Sequence, residues 1–361
     1  MSPRRGSCHD DSVDVLASHL IAAGLSAGLA AVGVAPAHRF ERAEAEIRRR
    51  KSAGMHGGMG FTFRNPARSC DPRANFPDAR ALVVGAYSYG IAPDPPEHGA
   101  GPDAAVARYA QSDHYAQLEL RLETIAVELR EAGWRAVVVA DQNHLVDREA
   151  AYQAGIGWYG RSSNLLIPGQ GSWHVLGSVV TNAPLPPNAV PVPDGCGSCT
   201  QCVDGCPTGA IVGPGIVDAR RCLAWLVQAP GPIPIEFRVA LGIRLYGCDD
   251  CQEVCPPNRR QDRIRSAGFR AGDTAAVPIL ELLALTDTEI LDRHGRWYIA
   301  ERDPRYLRRN ALVALGNAND RAPIVLDVLR KFASGADSLL AEHAQWSLDQ
   351  LVSPTFSEPT S

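Results

Sequence analysis

The chain has no stretch apolar and long enough to cross a bilayer as a helix. Residues 15–34 are rich in Ala, Gly and Leu, but Ser18, His19 and Ser26 interrupt them, well short of the roughly 20 apolar residues a spanning helix needs. Arg4 and Arg5 precede this stretch. The Gly6-Ser7-Cys8-His9-Asp10-Asp11 that follows is too polar and acidic for twin-arginine export, and no small-residue cleavage site comes after it. These absences predict a cytoplasmic protein with no membrane partner. An excess of positive charge is also lacking. The formal net charge is −4 over 361 residues, so no global field draws the chain to nucleic acid or lipid, and only local basic clusters can do so. The common phosphate-binding loops are missing too. Residues 54–66 are glycine-rich but contain neither G-x-G-x-x-G after a strand nor Gly-Lys-Ser/Thr. Such glycines let the backbone approach something large and flat.

Cysteine is present, but not scattered as in a disulfide scaffold. Eight of the ten cysteines lie between residues 196 and 255, in metal-ligand spacing and in a long chain. The first run, Cys196-x2-Cys199-x2-Cys202-x3-Cys206-Pro207, has bacterial ferredoxin spacing. There, three thiolates hold one [4Fe–4S] cluster and the fourth holds a different one. The second run, Cys248-x2-Cys251-x3-Cys255-Pro256, lacks a leading cysteine, and Leu245 stands in its place. Cys222 lies alone between the runs, and with it the count closes. Cys196, Cys199, Cys202 and Cys255 make one ligand set, and Cys206, Cys222, Cys248 and Cys251 the other. Zinc is the rival reading of paired C-x2-C runs. The proline after each final cysteine and the single completing cysteine favour iron–sulfur. Cys8 and Cys70 receive no role.

Hydrophobic periodicity predicts helices over 13–31, 40–51 and 115–132, the last with Leu118, Leu122, Ile125 and Leu129 as its apolar stripe and Gly133 as its cap. Arg48-Arg49-Arg50-Lys51 reads as a solvated last turn that suits the helix dipole in preference to a nucleic-acid contact. Strands are expected at 31–35, 81–86, 134–140 and 173–181. Their alternation with helices says α/β. In open α/β sheets ligands lie beyond the carboxyl ends of strands, which makes Asp141 a candidate acid. The alternative is that Asp141 or Asn143 caps a helix starting near Leu145. The five prolines of residues 184–193 form a linker. The expected segments are a disordered 1–12, an α/β domain over 13–190, a two-cluster ferredoxin-type domain over 191–262, a helical domain over 275–352 and a disordered 353–361. Helices at 307–316, 322–332 and 338–351 resemble a HEAT-type repeat.

Two clusters alone carry electrons and catalyse nothing, so the α/β domain is expected to hold what they reduce: a flavin, an NAD or a corrinoid. The NAD fingerprint is absent. So is the Asp-x-His-x-x-Gly by which many corrinoid proteins ligate cobalt: Asp292-Arg293-His294-Gly295-Arg296 ends in Trp297, outside the α/β domain. A corrinoid here would have no protein histidine ligand.

The order of motifs resembles the epoxyqueuosine reductases, cobalamin-dependent iron–sulfur enzymes of tRNA modification. The resemblance covers roughly residues 13–350. It rests on Gly57-Gly58-Met59 leading to Arg64, on Arg108-Tyr109-Ala110, and on the strand ending at Asp141. It continues through Ala154-Gly155-Ile156-Gly157-Trp158, residues 195–210, and Ala219-Arg220-Arg221-Cys222. Tyr246-Gly247-Cys248-Asp249-Asp250-Cys251-Gln252 and Arg309-Asn310 complete it. The resemblance implies an α/β cobalamin-binding domain, a dicluster domain and HEAT-like helices. It implies that two [4Fe–4S] clusters feed base-off cobalamin, which reduces epoxyqueuosine to queuosine in a tRNA anticodon loop. Asp141 would be the proton donor. Arg64, Asp141, Leu165, Leu176, Cys248 and Asp249 would touch the cofactor. The partners would be tRNA and an external electron donor, with the protein a monomer. Arg259, Arg260, Arg263, Arg265, Arg305, Arg308 and Arg309 offer a basic patch for tRNA, or else a solvated linker and helix face.

Departures cluster near the substrate. Gln142-Asn143-His144 follows Asp141 where the family has Ser/Thr, a small residue and Pro. His114-Tyr115 replaces an Asp-Tyr pair, Leu223-Ala224-Trp225 follows the Arg-Arg-Cys motif, and Cys255-Pro256-Pro257-Asn258 replaces Cys-Pro-Trp-Asn. A cobalamin reductase of a small molecule, akin to reductive dehalogenases, and a non-catalytic dicluster electron carrier are the competing readings.

Overall fold

Four hydrophobic runs pair into one sheet: β1 (Ala31–Pro36), β2 (Ala81–Ser88), β3 (Ala136–Ala140) and β4 (His174–Thr181). The computed structural model describes residues 8–89, 101–187, 190, 192–264 and 275–352. Within these, the chain forms two compact units. One comprises residues 1–91, 113–218 and 250–266; the other comprises 92–112, 219–249 and 267–361. The units run differently from the consecutive segments expected from the sequence, because each is assembled from three separate stretches.

In the first unit the strand order is β1-β2-β4-β3, and every neighbouring pair is antiparallel. The sequence alternation of strands and helices is present, but the parallel sheet it usually accompanies is not. A connection of a dozen or more residues can return a strand in either direction, so alternation alone does not fix the sense of pairing. Seven of the eight residues of β2, and of β4, are buried, because helices cover both faces of the sheet. On one face lies the His114–Glu131 helix, which buries Leu118, Leu122, Ile125 and Leu129, the stripe expected from periodicity. Its start is fixed by Asp113, whose side chain accepts the Ala116 N–H. Gly177 lets this helix approach the sheet closely because it has no side chain. A Cβ there would stand 2.9 Å from both Leu122 and Ala140. The other face buries Phe40, Val84, Val139, Leu145, Leu165 and Leu176 in one apolar cluster.

Antiparallel pairing decides what meets at each sheet edge. Ser88 is opposite His174 and Ala140 is opposite Gly177. The carboxyl ends of β2 and β3 therefore share an edge with the amino end of β4. Asp141 stands one residue beyond that register.

In the second unit Asp103–Val106 pairs in parallel with Arg244–Tyr246 and antiparallel with Ala276–Pro278. The Arg305–Asn317 helix is buried on nearly every side, and helices Pro323–Ala333 and Ser338–Val352 accompany it. Gly316 allows the closest approach, since a Cβ there would lie 2.6–2.8 Å from Ser347. The Ser347 hydroxyl donates to the Leu312 carbonyl at 2.8 Å. Of the end segments expected to lack structure, residues 353–361 lie outside the described residues, and the first helix already begins at Cys8.

Candidate active site and cluster ligands

Cys70 and the eight cysteines between residues 196 and 255 form no disulfide. Cys196, Cys199 and Cys202 sit on a tight coil that the Gln201–Asp204 helical turn closes. Cys255 immediately precedes the Pro256–Ile264 helix. Burial pushes the Cys255 thiol up to about 11, and the negative charges of Cys196, Cys202 and Cys199 add to it. Cys202 is raised by burial and by Cys196 and Cys199. The structure therefore brings the four thiols of the first set within electrostatic reach of one another. Their environment supplies N–H donors to sulfur. Asn258 N–H bonds Cys255, and the N–H groups of Cys202 and Val203 bond Cys202. The buried Asn258 also donates to the Ser172 hydroxyl at 3.0 Å and the Gln252 carbonyl at 2.8 Å, and it accepts the Ser172 N–H at 2.7 Å. It thereby locks the turn that carries Cys255.

Of the second set, Cys206 and Cys251 belong to the first unit and Cys222 and Cys248 to the other. Ala210 N–H donates to Cys206 Sγ at 3.2 Å, and Asn164 Nδ2 lies 3.9 Å from Cys251 Sγ. Cys222 is the N-cap of the Leu223–Leu226 helix, and Cys248 packs against an apolar cluster that includes Leu223, Leu226 and Val227. Half-buried thiols with backbone N–H donors suit [4Fe–4S] clusters, whose sulfurs are tuned by such bonds. Among the described residues, no three His, Cys, Asp or Glu side chains form a group able to hold a single metal ion. A cubane cluster makes no such demand, because its four thiolates each bind a different iron.

At the sheet edge, Asp141 has φ 50°, a left-handed conformation that costs an ordinary residue about 1–2 kcal/mol. It caps no helix. The next helix is Asp147–Gln153, its N-cap is Val146, and no side chain caps it. Although Asp141 lies at the exposed rim, neighbouring groups strip water from its carboxyl and push it up to about 6, with Glu119 adding repulsion. Asp147 accepts the Asp141 N–H, and burial, then the charge of Asp141, hold its carboxyl well above the usual range. Asp147 Oδ1 has no protein partner. Tyr115 is raised by burial, then by Asp141 and Asp147. Sequence reasoning missed Asp147 and the link to Tyr115, since nothing in the chain order brings residue 115 to residue 141.

The other expected contacts fall in varied surroundings. Arg64 is exposed beside the glycine loop, where a Cβ at Gly60 would meet its guanidinium at 3.6 Å and one at Gly58 would meet nothing. Leu165 and Leu176 are part of the apolar core. Asp249 is buried and accepts the Arg108 N–H at 2.7 Å. Beside it, Gly247 has no room for a Cβ, which would lie 2.4 Å from Ala107. The Arg-Tyr-Ala and Tyr-Gly-Cys-Asp motifs thus dock on each other. The basic patch is smaller than expected. Arg259, Arg260 and Arg263 are exposed on one helix, but Arg305 pairs with Asp303 and Asp337, and Arg308 with Asp287. Arg309 is fully buried: its guanidinium serves carbonyl groups inside the protein and cannot reach a nucleic acid. Arg265 lies outside the described residues.

A family model described as a 4Fe-4S double cluster binding domain matches residues 195–258. Epoxyqueuosine reductase of Shewanella oneidensis is 33% identical over 346 residues, spanning 91% of this chain and 86% of the relative. The chain belongs to the epoxyqueuosine reductase family. The Bacillus subtilis epoxyqueuosine reductase is 30% identical, over 95% of this chain and 89% of its own. An epoxyqueuosine reductase crystallised with an epoxyqueuosine-modified tRNA-Tyr stem loop superposes with a TM-score of 0.85 at 29% identity, covering 95% and 92% of the two chains. The Bacillus subtilis enzyme has also been solved with its catalytic aspartate loop swung out of the active site, at a TM-score of 0.84 and 29% identity. The structural likeness to epoxyqueuosine reductases therefore extends over nearly the whole chain. No described helix is long and apolar enough to cross a membrane.

Proposed function

We propose that this chain reduces epoxyqueuosine to queuosine in the anticodon loop of tRNA, in the cytoplasm and as a monomer, with electrons from an external donor. Family membership over nearly the full chain carries this reading. Cys196, Cys199, Cys202 and Cys255 would hold one [4Fe–4S] cluster, and Cys206, Cys222, Cys248 and Cys251 the other. The bare-backbone loop at Gly58 beside exposed Arg64 suits a corrin, which is broad and flat. Arg64, Asp141, Leu165, Leu176, Cys248 and Asp249 would line cobalamin, held base-off with no protein histidine on cobalt. The C-terminal helices would form a HEAT-like group, with tRNA phosphates contacted by Arg259, Arg260 and Arg263.

When bound, the clusters supply single electrons and the cobalamin supplies a low-valent cobalt able to open a strained C–O ring. The remaining work falls to side chains. Losing the epoxide oxygen as water takes two electrons and two protons, and Asp141 would give a proton to the departing oxygen. With its carboxyl at about 6, roughly a tenth of molecules carry that proton at pH 7, against fewer than about one in a thousand for an ordinary aspartate. Asp147 would keep the Asp141 turn in place through the Asp141 N–H.

Mass spectrometry of tRNA nucleosides tests the reading. A deletion strain should accumulate epoxyqueuosine, and the wild-type gene should restore queuosine. Unchanged queuosine in the deletion strain overturns it. The altered residues after Asp141, Gln142-Asn143-His144, favour a second reading in which the same cofactors reduce a different substrate. In that case the deletion leaves tRNA unchanged while the purified protein still binds cobalamin.

A further inference from the structure

Arg309 and Asn310 are both fully buried on the Arg305–Asn317 helix, and neither faces a carboxylate among the described residues. The Arg309 guanidinium donates to the carbonyls of Leu226 at 3.0 Å, Val227 at 3.3 Å and Ala229 at 2.8 Å, and also to that of Gly231. Asn310 Nδ2 donates to two carbonyls from different stretches, Val227 at 2.7 Å and Leu245 at 2.9 Å. Its Oδ1 accepts from Arg309 at 2.9 and 3.1 Å, which fixes the orientation of the amide. A guanidinium buried among neutral carbonyls is costly, and burial lowers it to about 10. Helix packing alone would be served as well by an apolar side chain of similar volume.

The tethered stretches suggest what the arrangement does. The Cys222 carbonyl accepts the N–H groups of Trp225 and Leu226 at 3.0 and 2.9 Å, so Cys222 is one helical turn from the carbonyls that Arg309 holds. Leu245 lies three residues before Cys248. On its other side Cys248 is followed by Asp249, anchored to the Arg108 N–H, and Cys248 packs against the apolar cluster to which Leu223, Leu226 and Val227 belong. We propose that Arg309 and Asn310 are positioning residues for the second cluster, clamping the Cys222 stretch and the Cys248 stretch at the spacing that cluster requires. This inference rests on the ligand assignment above and extends it to a pair that never touches the metal.

The helix provides its own control. Asn317 likewise donates to two carbonyls, Arg238 at 2.7 Å and Gly242 at 2.9 Å, but joins no ligand stretch to another. Full-length Asn310→Ala, Asn317→Ala and Cys222→Ala proteins would be reconstituted anaerobically, then compared by iron per chain and by electron paramagnetic resonance during a redox titration. Cys222→Ala should lose one of two cluster signals and about half the iron. Asn310→Ala should lose that same signal or shift its midpoint potential, with the other signal intact, and Asn317→Ala should keep both. Both signals at wild-type potentials in Asn310→Ala overturn the inference, as does equal damage in Asn317→Ala. Full iron in Cys222→Ala overturns the ligand assignment instead. Should Asn310→Ala fail to fold, Arg309→Lys, which keeps the charge but loses the fork, is scored in the same way.

Discussion

Asp141 combines a left-handed backbone, a carboxyl at about 6 and a buried carboxyl beneath it. If it donates the proton, Asp141→Asn retains both clusters and loses at least about 100-fold in turnover, measured by nucleoside analysis under single-turnover conditions. Wild-type turnover should fall as pH rises through about 6, because the acid form is the competent one. Stability has the same sign. A carboxyl whose folded value is raised binds its proton more tightly when folded, so stability is lost as pH rises from the ordinary aspartate range to about 6. Asp141→Asn removes this loss and should resist urea better than wild type at about pH 7.5, with the gap narrowing toward about pH 5. A variant less stable than wild type at both pH values would show that the raised carboxyl carries no such cost. At this scale the clustering of eight cysteines was legible from their spacing, and the position of Asp141 directly after a strand from the hydrophobic run before it. Arg309 was misread. An Arg-Arg-Asn step in a helix looks like a solvated face until the surrounding carbonyls are seen.

Among elements, the sheet and the helix His114–Glu131 are joined where side chains are missing. Gly177→Val places methyl groups where even a Cβ would be 2.9 Å from Leu122 and Ala140. Overpacking of this kind should cost about 1–3 kcal/mol, read as a lower urea midpoint with an unchanged slope. Because β4 also starts at the Asp141 edge, activity should fall with it. Existence and approximate limits of all four strands were legible from hydrophobic runs. Their antiparallel pairing was not, since pairing sense depends on which neighbour each strand finds. The edge chemistry followed from that pairing, as Asp141 shares its edge with the start of a strand and not only with the ends of others.

For the whole molecule, charge offers a test of tRNA binding that net composition conceals. Only Arg259, Arg260 and Arg263 of the expected basic cluster remain exposed without a carboxylate partner among the described residues. Replacing all three with alanine should weaken tRNA binding uniformly and reduce the slope of log affinity against log salt by about two to three. An unchanged slope would exclude these arginines as phosphate contacts. Composition could not show how the chain divides. Proline-rich and arginine-rich stretches look like borders between consecutive domains, whereas the two units exchange the chain at residues 92, 113, 219, 250 and 267.

That interleaving bears on how the protein is made. A ribosome releases the chain at about 5–20 residues per second. The stretch carrying residues 250–266 therefore follows the sheet-forming residues of its own unit by several seconds. The first unit cannot close until residues 250–266 have been made, and a product ending near residue 218 lacks part of both units. Cys196, Cys199 and Cys202 emerge before Cys255 exists, so the first proposed ligand set is incomplete until synthesis has passed residue 255.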